Sequence, residues 1–376
     1  MQNIAIWNTA FLGDAILTLP LLQTLRLAYP KARLDFYTRS GVAALFQDHP
    51  VLDRVFAYNK DQECGLGKIL AYGRVLRERK YDLWISAHRS PRSACLAWLS
   101  RAGERLGYDA PFMNRLALTR TTDRKFPELH EVDRLLGLAR ALGLHEVSTW
   151  PEIALPAEIR RQTHDFFSLL GERPILGLHP GSVWGSKRWP VRYFADLAKL
   201  ALEHGARIII FAGPGEENTG SALSAAIQAG SPARSLLRIN KNRENGPGWV
   251  SAAKEALPAD ILDLSATLDL RFLAAFIAEL DCYVSNDSGP MHLAWAQKTP
   301  LVTLFGPTVP AFGFAPRGET AVTLEVENLP CRPCNLHGPR ECPQKHHRCM
   351  RDLLPELVWT ETKKRLSRRK THTPDA

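Results

Sequence analysis

The stretch 281–308, DCYVSNDSGPMHLAWAQKTPLVTLFGPT, holds the densest chemistry in the chain. Asp287, Ser288 and Gly289 follow a short apolar run at 282–285, and His292 comes just after them. The run reads as a buried strand, 291–297 as a helix and 301–305 as the next strand, the unit from which parallel sheets are built. A turn of this kind leaves backbone N–H groups unpaired at the amino end of a helix. The macrodipole is positive there too, so the site attracts phosphate. Taken by itself, the turn is explained equally well by Asp287 or Ser288 capping the helix.

Three other turns carry suitable residues. In NTAFLGD (8–14), Asp14 either caps a helix or, at the carboxyl end of a strand, serves as a general base. In HPGSVWGSKRWP (179–190), Gly181, Ser182, Gly185 and Ser186 open the backbone, and Lys187 and Arg188 supply charge. Backbone donors beside a fixed cation suit a diphosphate. The glycines match neither a Walker loop nor the dinucleotide fingerprint. A solvated basic loop is the alternative, and the flanking Trp184 and Trp189 weigh against it. In GPGEE (213–217), Glu216 and Glu217 are both candidates to grip a ribose hydroxyl pair, or to cap a helix.

These turns need a scaffold with strands that end together. Strands are expected at 3–7, 33–37, 54–58, 83–86 and 105–108, and helices at 14–27, 69–79 and 132–142. A proline-bearing linker at 150–156 and a helix at 157–170 follow. A second alternating series has strands at 175–179, 207–211 and 261–264 and helices at 191–203 and 219–229. Alternation of this kind gives an α/β protein with two Rossmann-like, doubly wound parallel-sheet domains facing a central cleft. The expected division is 1–155, 156–345 and a C-terminal helix with a basic tail at 346–376. Residues 231–260 exceed an ordinary loop and are read as an insertion.

At 376 residues two domains are the expectation, and 45% hydrophobic with 23% charged residues is an ordinary globular balance. No apolar run is long enough for a membrane span, and the first residues lack a basic leader, so a cytoplasmic protein is expected. The net charge of +9 permits an anionic substrate, an anionic membrane or nucleic acid, but no nucleic-acid module is recognisable and no such partner is expected. The tail after Trp359 carries six Lys/Arg against two acids, a solvated end or a contact for anionic headgroups. Cys331, Cys334, Cys342 and Cys349 cluster near His337, His346 and His347. That spacing admits a structural zinc site, and packed or redox-linked thiols are the simpler reading.

Together, IAIWNTAFLGDAILTLPLL, LGLHPGSVWGSKRWPVRYFADLA, FAGPGEE and VSNDSGPMHLAWAQKTPLVTLFGPT resemble the ADP-heptose:lipopolysaccharide heptosyltransferases, glycosyltransferase family 9, of GT-B fold. The resemblance covers most of the chain, and the cysteine-bearing end is similar to the heptosyltransferase II branch. It implies an ADP-heptose donor and a lipopolysaccharide core acceptor of a Gram-negative envelope. It also implies an inverting transfer without an obligatory metal, in an enzyme peripheral to the cytoplasmic face of the inner membrane. By the same resemblance Asp14 is the base and Lys187 the lysine on the donor phosphates. Ser182 lies near phosphate, and Asp287, Ser288, Gly289 and His292 form the diphosphate and sugar motif. Glu217, less directly Glu216, holds the ribose, and Leu268 lies near the adenine. Arg89, Arg92, Arg120, Arg124 and Lys125 are candidates for the acceptor's anions, each explained equally well by a solvated face. A same-fold transferase with another nucleotide sugar or a protein acceptor, and a non-catalytic nucleotide-sugar-binding protein, remain as alternatives.

Overall fold

The computed structural model describes every residue except 64, 110–112, 146–147, 232–234, 240–258 and 368–376. The chain divides into two compact units, Met1–Ala154 and Leu155–Ala376.

The first unit is built on a six-stranded parallel sheet. Its strands are β1 (Asn3–Asn8), β2 (Arg33–Arg39), β3 (Arg54–Tyr58), β4 (Leu83–Ser86), β5 (Glu104–Tyr108) and β6 (Arg120–Thr122), in the order β3-β2-β1-β4-β5-β6. The order reverses between β1 and β4, the switch point at which doubly wound sheets bind ligands. Both faces are covered, so Ile4 and Ile6 are as buried as Ala5 and Trp7. One face is aromatic. Trp7 and Trp84 stack with centroids 5.4 Å apart, and Tyr37 and Tyr58 pack beside Trp7. The polar tips of this cluster are satisfied, since the Tyr81 hydroxyl lies 2.6 Å from that of Tyr37 and donates to the buried Asp35.

The expected helix at 14–27 is two helices, Leu12–Leu17 and Leu19–Ala28. Pro20 has no N–H to continue the ladder and its ring crowds the preceding turn. Thr18 N–H turns back to the Ala15 carbonyl, and the Asp14 carbonyl accepts instead from the Thr18 hydroxyl and the Asn8 amide. Four elements lie outside the expected set, the 3-10 turn Ala43–Phe46, the helix Pro91–Ser100 beyond its basic start, the helix Met113–Ala117 and the three-residue β6.

The second unit carries a seven-stranded parallel sheet. Its strands are β7 (Ile175–His179), β8 (Arg207–Ile210), β9 (Leu236–Arg238), β10 (Ile261–Asp263), β11 (Cys282–Asn286), β12 (Leu301–Phe305) and β13 (Ala321–Glu325), in the order β13-β12-β11-β7-β8-β10-β9. Its central strands are mostly apolar and buried at every residue, as cover on two faces requires. The helix Val191–Glu203 packs on one face with Phe194, Leu197, Ala198 and Ala201. Residues 231–260 are not wholly outside the sheet, because Leu236–Arg238 pairs with β10 as an edge strand. The remainder of that insertion, from 240 to 258, lies outside the described residues. The helix Pro355–Leu366 is part of this core through Val358 and Leu366, with Met350 and Leu353 before it. The basic end from 368 onward lies outside the described residues.

Candidate active site

In the second unit the candidate donor residues gather at the carboxyl ends of neighbouring strands. β11 ends in Asn286, and the chain turns through Asp287 and Ser288 into the helix Gly289–Ala296. Ser288 is extended at the N-cap and Pro290 stands in the first turn, where its missing N–H costs nothing. Asp287 is buried, and its Oδ2 accepts from Lys187 Nζ at 2.5 Å and from the Thr308 hydroxyl at 2.6 Å. Lys187 is itself buried, at 8% exposure, so its charge has been taken out of water and aimed at this carboxylate.

The loop that brings Lys187 here is stapled by Asn286. Its Nδ2 donates to the carbonyls of Pro180 and Gly181, and its Oδ1 accepts from Trp189 N–H at 2.9 Å. The Trp189 indole donates to the Leu353 carbonyl. Ser182 is buried, with its Oγ accepting from Trp184 N–H.

Beside this loop, Glu216 accepts from Gly213 N–H and lies 3.4 Å from His179 Nε2, while His179 Nδ1 meets the Tyr283 hydroxyl. Burial raises the pKa of Glu216, but His179, the Gly213 N–H and Arg188 together outweigh it and hold the carboxyl below its usual value. Gly181 is required by this contact, since a Cβ there would come 2.0 Å from Glu216 Oε2. Glu216 is therefore the carboxylate turned into the site, whereas Glu217, the first residue of the next helix, is exposed. Leu268 is half-buried on the turn after β10, and His292 is buried in the helix after Ser288.

In the first unit Asp14 is the third residue of its helix, not the cap, and its Oδ2 accepts from Phe11 N–H at 3.1 Å. Its pKa is pushed up to about 6, by burial first and by Glu131 second, while the Phe11 N–H and Arg124 pull it down. A carboxyl that changes state just below neutrality suits general-base work. Lys60, beyond β3, shares this region. Its pKa is lowered by burial and by Arg39 and Arg92, against the pull of Asp14. His88, beyond β4, is pushed down to about 4 by burial, Lys60 and Arg124, and is neutral at pH 7.

Of the five acceptor candidates, Arg92 and Arg124 belong to this group. Arg92 donates to the Lys60 carbonyl and Arg124 to Glu131. Arg89 and Lys125 are exposed nearby in sequence. Arg120 is not brought to them, because it begins β6 and its guanidinium bonds Glu104 and the Ala141 carbonyl.

The cysteine-bearing segment packs against the Lys187 loop. His347 Nε2 donates to the Ser186 carbonyl at 2.6 Å, Ser186 Oγ donates to the Pro339 carbonyl, and Trp184 stacks on His337. Cys349 is buried, its thiol pushed up to about 12 by that burial, and Cys331 Sγ lies 3.9 Å from His346 Nε2. Among the described residues no group of three or more His, Cys, Asp or Glu side chains could hold a metal ion.

Several residues of the site carried no sequence signal, namely Asn286 as a staple, Thr308, His179, Lys60, His88 and Glu131. Among the described residues no helix is long and apolar enough to cross a membrane.

Comparison with known proteins follows the same lines. The chain is similar to lipopolysaccharide heptosyltransferase 2 of Escherichia coli, 26% identical over 321 residues that span 83% of this chain and 84% of that one. It is also similar to lipooligosaccharide heptosyltransferase 2 of Campylobacter jejuni, 26% identical over 367 residues that span 96% and 98%. The solved structure of E. coli ADP-heptose lipopolysaccharide heptosyltransferase II superposes with a TM-score of 0.73 at 24% identity, over 98% of this chain and 99% of that one, which identifies the GT-B fold. The profile of glycosyltransferase family 9 (heptosyltransferase) matches residues 69–238 and 239–344, and the chain belongs to that family of glycosyltransferases.

Proposed function

We propose that the chain transfers L-glycero-D-manno-heptose from ADP-heptose to a lipid A–Kdo–heptose acceptor of the lipopolysaccharide inner core, with inversion. The observation that carries this reading is Lys187, buried and paired with Asp287, beside the amino end of the helix that Ser288 opens. That arrangement suits a diphosphate. Lys187 would turn from Asp287 to the donor phosphates, and Asp287 would keep the Thr308 hydroxyl. Ser182, Gly289 and His292 would complete the diphosphate and sugar contacts. Glu216 would take the ribose hydroxyls, with Leu268 on the adenine.

A sugar hydroxyl is a weak nucleophile, so Asp14 would accept its proton as attack proceeds. The anomeric carbon becomes oxocarbenium-like, and negative charge grows on the departing ADP. Lys187 and the helix N-terminus would stabilise that charge without rearranging. Attack opposite the leaving group turns a β-linked donor into an α-linked product. Exclusion of water from the reacting atoms would limit hydrolysis of the donor. Lys60, Arg92 and Arg124 would meet the acceptor's anions, at the cytoplasmic face of the inner membrane.

No step of this scheme needs a metal. The test is product analysis with ADP-heptose and core acceptors of graded length, with UDP- and GDP-sugars as competitors. Transfer only from ADP-heptose to a heptose-bearing core supports the reading. Preference for another nucleotide sugar, or for a protein acceptor, refutes it.

A further inference from the structure

The proposed reaction gives no role to two buried charges near Asp14, Glu131 and Arg134. Glu131 opens the helix Glu131–Ala141, which packs against the helix Leu12–Leu17 that carries Asp14. Its carboxylate is buried, and its Oε2 accepts from Arg124 Nη2 and from Arg134 Nη1, each at 2.7 Å. Arg134 is 1% exposed. Aromatic rings fix the two guanidiniums. Phe126 lies 4.6 Å from that of Arg134 and 5.5 Å from that of Arg124, and Tyr108 lies 5.8 Å from Arg124. A buried ion triad adds little net stability over apolar packing of the same volume. Its consequence for the neighbouring carboxylate is therefore the effect worth testing.

We propose that Glu131, gripped by Arg124 and Arg134, is a positioning residue for Asp14, forming the charged wall against which that carboxylate takes up the acceptor proton. The inference rests on the reading of Asp14 as the base. Within this unit the charged groups acting on Asp14 are Glu131, Arg124 and Lys60. Arg39 and Arg92 act on Lys60, and His88 faces Lys60 and Arg124. Glu131 carries the same charge as ionised Asp14 and disfavours it, while Arg124 carries the opposite charge and favours it. Neutralising the two must move Asp14 in opposite directions. A merely structural role would not produce opposed shifts.

The experiment uses the full chain labelled with γ-carboxyl ¹³C-aspartate and titrated by NMR, the Asp14 signal being the one lost in Asp14→Asn. The wild-type midpoint is expected at about 6. Glu131→Gln should lower it by about half a pH unit or more, and Arg124→Gln should raise it by a similar amount. Arg124→Lys, which keeps the charge, should stay within about 0.3 unit of wild type. The acid limb of kcat/KM for transfer should follow the same midpoints.

Should Glu131→Gln fail to fold, the double variant Glu131→Gln/Arg134→Met removes the buried pair together and is titrated instead, with the same downward shift expected. Equal midpoints, or shifts in one direction for both the Glu131 and Arg124 variants, overturn the proposal. Failure of the base reading shows separately, as transfer retained in Asp14→Asn, while the titration still reports on Glu131.

Discussion

Replacing Lys187 by methionine separates its structural role from its chemical one. Its Nζ lies 2.5 Å from Asp287 Oδ2, and the two side chains are 11% and 10% exposed. Removing the cation leaves a buried carboxylate with the Thr308 hydroxyl as its remaining donor among the contacts described. Breaking a buried pair from one side costs about 3–5 kcal/mol. For a unit of this size that lowers Tm by roughly 6–20 °C, at about 2–4 °C per kcal/mol. Adding Asp287→Asn removes the stranded charge, and the amide oxygen still accepts from Thr308. The double variant should therefore return to within about 1 kcal/mol of wild-type stability. Transfer behaves differently. With no cation to meet the charge growing on ADP, kcat should fall by about 10²–10³ in the single and the double variant alike. The assays are thermal unfolding and ADP release during heptose transfer. A single variant that loses less than about tenfold in kcat, or a double variant that regains transfer with stability, would refute the reasoning.

Three further outcomes are expected. Glu216→Gln should weaken ADP binding by about tenfold in calorimetry, roughly 1.4 kcal/mol, while Glu217→Gln leaves it unchanged; the reverse order would move the ribose contact to Glu217. Gly181→Ala places a Cβ 2.0 Å from Glu216 Oε2 and should displace that carboxylate, with the same loss of ADP affinity; normal affinity would remove Glu216 from the ribose contact. Treating the purified protein with EDTA should leave the transfer rate unchanged, and elemental analysis should find no stoichiometric metal. A chelator-sensitive rate would contradict the metal-free scheme.

Most strands legible in the sequence are those whose residues imply burial on two faces, although the edge strand Arg54–Tyr58 was legible too. LWIS, ILGLH and LVTLF form strands at the positions their largely apolar runs predict. The edge strands Arg120–Thr122 and Leu236–Arg238 were not legible, because three residues show no period and their pairing depends on a distant partner. The break at Thr18 escaped for a related reason, since Pro20 signals it only together with the side chains of Asn8 and Thr18. The site shows the same division. Asp287, Ser288 and Gly289 act as neighbours along the chain and could be read together. Asn286 works across 97 to 106 residues to hold the Lys187 loop, and the helix that Glu131 opens packs against the one that carries Asp14. Glu216 and Glu217 are adjacent and chemically identical, and the turn at Gly213 decides which of them faces His179.

The general base is the element of the scheme most directly open to measurement. Asp14→Ala should reduce heptose transfer by about 10²–10⁴, while calorimetry finds ADP bound with near wild-type affinity. Transfer at the wild-type rate in that variant would contradict the account.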